Sequence, residues 1–359
     1  MGQKYEFTHD ALRTLLDNLP ADTHKILVFT GKKSYETSGA CKLIRQLSVA
    51  ADLEITRYCD FEVNPRLSDL EKAVDTIRSA RPDAIIAIGG GSVIDMSKLT
   101  RFFECHSGDY IGGPYRRIKS PIPLIAIPTT AGTGSETTHF AVLYKDSTKH
   151  SIAHPDIRPD FALLDSAFTD NANPYLTACS GFDALAQAIE AYWNKNATNE
   201  SDAFALEAIG LLWESLPQTV KSPTRDLRSK MLKGSYLAGK AIDITKTTAP
   251  HAFSYPFTMH YGYPHGHAVA LTFPIFAAIN LSPGAIKEEK RAKLLSKLSS
   301  GQSIEADMTD YIKEIGLGFR GETIDTPTIL EGINLSRLAN NPVDIDMNKA
   351  TEILESLIS

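Results

Sequence analysis

Cysteine is scarce in this chain, with four among 359 residues and no two of them spaced as a C-x-x-C pair. The spacing of Cys41, Cys59, Cys105 and Cys179 indicates reduced thiols rather than a disulfide framework. Long runs of basic residues are also lacking, and the net charge is -6. Because phosphate contacts need clustered lysine and arginine, the chain is not expected to bind nucleic acid.

Long hydrophobic segments are missing as well. The longest, at about residues 268–281, is interrupted by Pro274 and is shorter than the ~20 residues that a membrane helix needs. The polar N-terminal stretch has no apolar signal-peptide core, so we expect a cytoplasmic protein without a membrane partner. A hydrophobic share of 43% and a charged share of 22% are those of a soluble globular protein, and the length predicts two domains or one large domain with a helical extension.

Strand-like and helical stretches alternate in the first half of the chain. We predict strands at residues 25–30, 53–58, 83–88 and 123–127, with helices between them. The third strand is apolar on both faces, as a central parallel strand should be. The pattern predicts an open α/β sheet covered by helices on both sides.

Two loops of small residues follow the third and fourth of these strands. The first is Gly89-Gly-Gly-Ser92, which leads into a helix, and the second is Pro128-Thr-Thr-Ala-Gly-Thr-Gly-Ser-Glu136. Glycine lets the backbone approach a pyrophosphate closely, and a helix N-terminus favours its negative charge. Loops at consecutive strand ends form a crevice where open α/β sheets bind nucleotides. A tight turn is the alternative interpretation of the triple glycine.

From about residue 165 the pattern becomes helical with few strand signals. The boundary divides the chain into a nucleotide-binding domain, 1–165, and a helical domain, 166–359. The predicted helices lie at about 175–193, 200–213, 227–242, 268–279 and 347–358.

Four of the ten histidines lie between residues 251 and 267. A surface histidine run or hydrogen-bonded core histidines could explain them, but a helix upstream favours a metal site. Asp183 and Gln187 are four residues apart on that helix and share one face. A carboxylate, an amide oxygen and two imidazoles suit Fe2+ or Zn2+ with an open catalytic position. The predicted ligands are Asp183, Gln187, His251 and His265.

The chain resembles the iron-dependent (group III) alcohol dehydrogenases along essentially its whole length. The motifs that carry the resemblance are the two loops above, Asp95 and Lys98, the helix with Asp183, His251 with His265-Gly266, and Asn341-Pro342. The resemblance implies an α/β fold like that of dehydroquinate synthase, with a Rossmann-like NAD(P)-binding domain and an all-helical metal-binding domain. Within the family, the chain is similar to the phosphonoacetaldehyde reductases, also called hydroxyethylphosphonate dehydrogenases.

The resemblance also implies roles for individual residues. Gly31 stands where NAD-specific relatives carry aspartate, so NADP(H) is expected to be accepted beside NAD(H). The predicted cofactor contacts are Gly31, Lys32, Gly89, Gly90, Gly91, Ser92, Asp95, Thr129, Thr130, Thr133, Ser135 and Lys149. The candidate proton donors are Tyr255, His260 and His267. The candidate contacts to a phosphonate group are Lys240, Lys246, Thr247 and Thr248.

Two positions depart from the family pattern. Gln187 replaces a histidine ligand, which leaves the strength and identity of metal binding open, and Tyr255 replaces a further histidine.

The expected reaction is hydride transfer from reduced nicotinamide to an aldehyde whose carbonyl is polarised by the metal. The expected substrate is phosphonoacetaldehyde, and the family suggests a homo-oligomer such as a dimer. The alternatives are a general alcohol dehydrogenase for uncharged substrates, a lyase of the dehydroquinate-synthase type, and a metal-free nucleotide sensor.

Overall fold

The computed structural model describes residues 3–146 and 148–358, and the chain divides into two compact units, Met1–Ala172 and Asn173–Ser359. The division lies later than the predicted boundary at residue 165 because a further turn belongs to the first unit. Ser166–Thr169 form a 3-10 helix, and Phe168 is buried in the core beside the sheet.

Within residues 3–146 and 148–172, the first unit has ten strands and five α-helices. The strands are β1 (Lys4–Phe7), β2 (Lys25–Thr30), β3 (Glu54–Tyr58), β4 (Ala84–Gly89), β5 (His106–Ser107), β6 (Arg116–Arg117), β7 (Leu124–Pro128), β8 (Phe140–Lys145), β9 (Thr148–Ala153) and β10 (Phe161–Leu164). The helices are α1 (Ala11–Asn18), α2 (Ser34–Thr37), α3 (Ala40–Ala51), α4 (Leu67–Ala80) and α5 (Gly91–Cys105).

Six strands form one parallel sheet in the order β1-β10-β7-β4-β2-β3. The four predicted strands correspond to β2, β3, β4 and β7. The short strands β1 and β10 at one edge, and the antiparallel hairpin of β8 and β9, were not predicted. The sequence of β1, Lys-Tyr-Glu-Phe, alternates polar and aromatic residues, but the strand is only four residues long and all four are exposed.

Both faces of the sheet are buried, which explains the continuous apolar runs. Alternate residues of each central strand enter opposite cores. Leu27 and Ile85 pack with α4 and α5 on one face, whereas Ile26 and Ile86 pack with α1 and α3 on the other. The predicted two-sided burial is therefore confirmed.

The strand order reverses at β2, which pairs with β3 on one side and β4 on the other. The carboxyl ends of β2 and β4 meet at this switch point, and they lead into Gly31 and the glycine loop. A crevice at a switch point is the usual nucleotide site of an open parallel sheet.

The second unit is helical, as predicted. Its helices are α6 (Pro174–Trp193), α7 (Asn199–Lys221), α8 (Arg225–Thr245), α9 (Ala249–Tyr261), α10 (His265–Asn280), α11 (Glu288–Leu298), α12 (Ile304–Glu314), α13 (Thr326–Glu331), α14 (Leu335–Leu338) and α15 (Met347–Ile358).

The sequence did not predict α9, which contains two prolines. Pro250 lies near the start of the helix, where its missing N–H costs nothing. Pro256 lies inside the helix, where propensity opposes it. Burial of Phe253 and Phe257 in the core of the second unit outweighs this cost.

Among the helices of residues 3–146 and 148–358, none is both long and apolar enough to cross a membrane. The four cysteines are free thiols, in agreement with their spacing.

Candidate active site

Three predicted metal ligands come together in the second unit. Asp183 projects from the middle of α6, His251 from the first turn of α9, and His265 begins α10. The Nε2 atoms of His251 and His265 lie 3.1 and 3.8 Å from Oδ1 of Asp183. Asp183 and His251 side chains are each only 4% exposed, whereas His265 is 33% exposed, so the cluster opens toward solvent at His265.

Gln187 lies one turn after Asp183 on α6 and is buried. Its Oε1 atom has no hydrogen-bond partner within residues 3–146 and 148–358. A buried carbonyl oxygen without a partner costs about 1–3 kcal/mol, and a cation would remove this cost. The oxygen and nitrogen donors therefore fit a divalent ion, and the candidate ligand atoms of Asp183, His251 and His265 lie within 4.8 Å of one another.

Close approach of α10 to α6 makes the cluster possible, and it depends on Gly266. A Cβ atom at this position would lie 1.9 Å from the carbonyl oxygen of Cys179 and 3.0 Å from Cβ of Asp183. Because the first contact is with backbone, no side-chain rotation could relieve it. The glycine therefore lets the preceding His265 come close to Asp183.

Glu190, two turns after Asp183 on the same helix, is the functional candidate that the sequence analysis missed. Its carboxylate contacts Nδ1 of His251, and the side chain is fully buried. Burial alone would lower the pKa of His251, but the carboxylates of Glu190 and Asp183 outweigh it and raise this pKa to about 10. A divalent ion must therefore displace a proton from His251. The i, i+4, i+7 spacing of Asp183, Gln187 and Glu190 was the available signal.

The three candidate proton donors have different surroundings. The Tyr255 ring stacks on His265, with centroids 6.0 Å apart and an interplanar angle of 18°. His260 is exposed in the last turn of α9, nine residues after His251, or about 13 Å farther along the helix axis. The helix, which the sequence analysis did not recognise, thus separates His260 from His251, and the role of His260 as proton donor stays a prediction.

His267 is buried, and both of its ring nitrogens have partners. Nδ1 lies 2.9 Å from the hydroxyl of Tyr175, and Nε2 lies 2.7 Å from the carbonyl oxygen of Gly318. Burial lowers the pKa of His267, with Gly318 opposing the effect. These contacts give His267 a structural role, in which it joins α6, α10 and the loop before α13.

The predicted cofactor loops lie side by side in the first unit. A Cβ on Gly91 would meet the Thr133 side chain at 2.8 Å, and one on Gly90 would meet Thr130 at 3.5 Å. The hydroxyl of Ser92 accepts a hydrogen bond from the Asn64 amide. Gly91 begins α5, so the backbone N–H groups of the first turn of α5 lie at a helix N-terminus beside the switch point. Thr129 follows β7, and Lys149 lies on β9 opposite Tyr144.

Asp95 and Ser135, both predicted cofactor contacts, bind each other. The Ser135 hydroxyl donates to Oδ1 of Asp95, whose Oδ2 accepts from the Val142 amide at 2.9 Å. The buried ammonium of Lys98 donates to the Ser135 and Phe140 carbonyl oxygens. This network fixes the second loop to α5, so Asp95 acts by positioning the loop.

Near the end of β2, Gly31 lies beside an arginine that the sequence analysis did not identify. Arg57 donates from Nε to the Thr30 hydroxyl at 2.8 Å and from Nη2 to the Gly31 carbonyl oxygen at 3.3 Å. Its guanidinium lies 4.0 Å above the Tyr35 ring centroid. Lys32 instead pairs with Glu62.

The buried carboxyl group of Glu136, the last residue of the second loop motif, should make the free energy of unfolding depend on pH. Burial raises its pKa to about 7, although its own backbone N–H and Lys98 oppose the effect. Because the folded-state pKa exceeds the unfolded one, the stabilisation is complete below the unfolded pKa and is lost as pH rises through 7. We expect Glu136→Gln to be more stable than wild type at pH 8 by up to about 3 kcal/mol, but not at pH 4.5.

Urea denaturation at both pH values would measure this difference. Glu71→Gln, a change at an exposed glutamate of α4, is the matched control. An equal effect of Glu136→Gln at both pH values would contradict the assignment.

The predicted phosphonate-binding segment includes Lys240 in α8 and continues from the end of α8 to the start of α9. Lys246 is partly buried and has φ 67° and ψ -178°, a backbone conformation that is uncommon for a residue other than glycine. Thr248 is not available to a substrate, because its hydroxyl donates to Glu190 and accepts from Nε1 of Trp193. Thr247 is buried, and Lys240 lies 5.7 Å from the ring centroid of Phe204 on α7.

Comparison with known proteins agrees with this geometry. Residues 2–166 match the family "Iron-containing alcohol dehydrogenase", and residues 177–327 match "Fe-containing alcohol dehydrogenase family, C-terminal". The NAD-dependent methanol dehydrogenase of Bacillus methanolicus is 33% identical over 71% of this chain and 68% of its own length. The Long-chain-alcohol dehydrogenase 1 of Geobacillus thermodenitrificans is 38% identical over 60% of this chain.

The chain spans only 56% of the length of the Geobacillus protein and 65% of the Salmonella typhimurium protein EutG, a probable alcohol dehydrogenase. Among solved structures, the sulfoacetaldehyde reductase of Bifidobacterium kashiwanohense in complex with NAD+ has a TM-score of 0.89 at 28% identity. That match covers 99% of this chain and 97% of the other. With its parallel nucleotide-binding sheet and its helical Asp–His–His cluster, the chain belongs to the iron-containing alcohol dehydrogenase family.

Proposed function

We propose that the chain is a metal-dependent, NAD(P)H-linked reductase of a small anionic aldehyde, with phosphonoacetaldehyde as substrate and 2-hydroxyethylphosphonate as product. The observation that carries the proposal is the buried cluster of Asp183, His251 and His265 on the scaffold of this family. A metal-free nucleotide sensor would have no use for three converging ligands and an unpartnered amide oxygen at Gln187.

Different residues of the second unit have different proposed roles in the reaction. When bound, a divalent ion supplies Lewis acidity to the substrate carbonyl. Asp183 and His251, the buried pair, would hold and orient the ion, and His265 lies at the more exposed side of the cluster, from which substrate would enter. The stacking of Tyr255 on His265 supports Tyr255 as the residue that delivers a proton to the new hydroxyl group.

Recognition of the anionic group is assigned to Lys246. The strained backbone of this residue is held from three sides: its N–H donates to Ile242, and its carbonyl oxygen accepts from Asn194 and Thr245. Strain of this kind costs about 1–3 kcal/mol and concentrates at functional sites. We infer that the strained conformation serves to keep Lys246 partly buried, five residues before His251.

A second cation strengthens the case for an anion site. Burial lowers the pKa of Lys246, and the nearby positive charge of Arg337 lowers it further, while Asp243 opposes both. Asn340, one turn after Arg337, donates to the Thr247 carbonyl oxygen at 3.0 Å, which ties the two segments together. Two cations that influence each other electrostatically favour a bound anion in this segment. The similar sulfoacetaldehyde reductase acts on an aldehyde that also bears a tetrahedral anion.

For the cofactor we propose a preference for NADPH, based on Arg57. With Gly31 in place of an acidic residue, no carboxylate opposes a 2′-phosphate there, and an arginine near this position can pair with it. We expect Arg57→Ala to raise KM for NADPH at least about 10-fold while KM for NADH changes by less than about twofold, as the loss of a charged hydrogen bond requires. Arg45→Ala, at an exposed arginine of α3, is the matched control. Equal losses with both cofactors would contradict this role.

A general alcohol dehydrogenase for uncharged substrates is the alternative, and the names of several relatives favour it. The test is the rate of NADPH oxidation by the metal-loaded protein with phosphonoacetaldehyde, sulfoacetaldehyde and butanal. We expect kcat/KM to be highest with phosphonoacetaldehyde. A higher value with butanal would establish the alternative, and no turnover with any aldehyde would overturn both.

A further inference from the structure

We infer that Glu190 is a positioning residue that sets the ring orientation and tautomer of His251 for metal binding. This inference rests on the proposed metal site. Glu190 is fully buried on α6, and its two carboxylate oxygens have different tasks. Oε2 contacts Nδ1 of His251, whereas Oε1 accepts from groups at the start of α9.

The contacts of Oε1 fix where α9 begins. It accepts from the Thr248 amide at 2.9 Å, the Thr248 hydroxyl at 2.9 Å and the His251 amide at 3.4 Å. The first N–H groups of a helix have no partners within the helix, and the helix dipole favours a negative charge there. A side chain of α6 therefore caps α9, the helix that carries His251. Because Asp183 is also on α6, this cap fixes the position of His251 relative to Asp183.

The contact of Oε2 decides which ring nitrogen faces the metal. A carboxylate accepts and cannot donate, so Nδ1 of His251 must carry a proton when it faces Glu190. The proton that an ion would displace is then the one on Nε2, the nitrogen that lies 3.1 Å from Asp183 Oδ1, and its lone pair would face the ion. Carboxylate–histidine pairs of this kind orient metal ligands, and their loss costs about 10- to 100-fold in metal affinity.

Glu190→Gln separates the two tasks. In the orientation that keeps a carbonyl oxygen against Thr248, the cap remains, but an amide NH2 group replaces the oxygen beside Nδ1 of His251. Two donors then face each other. The flipped amide relieves that contact only by placing NH2 against the Thr248 amide, so neither orientation satisfies both sites.

The experiment compares metal affinity in wild type, Glu190→Gln and Trp193→Phe. The last variant removes the donor to the Thr248 hydroxyl and perturbs the same network without touching Glu190. The Kd for Zn2+ is measured by competition with a chelating dye, and the Tm of each metal-free protein reports on folding. In Co2+-loaded protein, the exchangeable ring N–H of His251 is followed by NMR.

We expect Glu190→Gln to weaken Zn2+ binding about 10- to 100-fold and to lose the ring N–H signal, while Trp193→Phe lowers Tm and keeps the wild-type Kd. Equal Zn2+ affinity in wild type and Glu190→Gln would overturn the inference and leave the proposed function intact. The inference also fails if both variants lose affinity in proportion to Tm, because Glu190 would then act through stability alone. A wild type that binds no metal would overturn the proposed function itself.

Discussion

Replacing Asp183 by asparagine should remove both metal binding and aldehyde reduction. Asp183 is the only charged ligand in the cluster, and its Oδ1 lies within 3.8 Å of both histidines. An amide is a weaker donor and brings no negative charge to offset that of the ion. We expect metal affinity to fall by more than the ~100-fold upper range for residues that only support a ligand.

Metal content and NADPH oxidation, measured on the same preparations, would test this expectation. Asp226→Asn, at an aspartate of α8 that pairs with Lys230, is the control for a change of the same kind elsewhere in the second unit. Retention of wild-type metal content by Asp183→Asn would remove Asp183 from the ligand set. Retention of activity without metal would be evidence against a metal-dependent reaction.

Replacing Lys246 by methionine should impair reduction of an anionic aldehyde selectively. Methionine keeps much of the apolar stem and removes the charge, so the loss reflects the interaction with the substrate anion. A charged hydrogen bond contributes about 1.5–3 kcal/mol, which corresponds to at least ~10-fold in kcat/KM. With butanal, the change should stay within about twofold.

Lys233→Met is the matched control, because Lys233 is an exposed lysine of α8 that pairs with Glu207 and is not a candidate substrate contact. Assays of both variants with phosphonoacetaldehyde and butanal complete the comparison. An equal loss with both aldehydes in Lys246→Met would mean that the lysine supports the local backbone or the metal site. The phosphonate substrate would then rest on family resemblance alone.

Patterns that depend on a single element could be predicted from the sequence. Buried β2, β4 and β7 are apolar runs, and Asp183 and Gln187 lie on one helical face because the spacing of α6 requires it. Contacts between distant segments were harder to predict. The capping of α9 by Glu190 joins residues 58 or more positions apart, and it became apparent only when α9 proved to be a helix despite its prolines.

The same distinction explains where some of the candidate residues lie. His260 and Thr248 were grouped with the site because they are close to His251 in sequence. Once α9 is helical, His260 is carried to its exposed end, and the Thr248 hydroxyl points to Glu190. Arg57 and Arg337 were missed because each is far in sequence from the residue it neighbours. Arg57 contacts Gly31, and the charge of Arg337 acts on Lys246.

The most direct test of a metal-dependent aldehyde reductase uses the wild-type chain alone. Metal is removed with a chelator, and NADPH oxidation by phosphonoacetaldehyde is followed while Fe2+ or Zn2+ is added back. The account predicts no activity in the stripped protein and a return of activity in proportion to occupancy, saturating at one ion per chain. Full activity in the stripped protein, or metal binding that restores none, would contradict it.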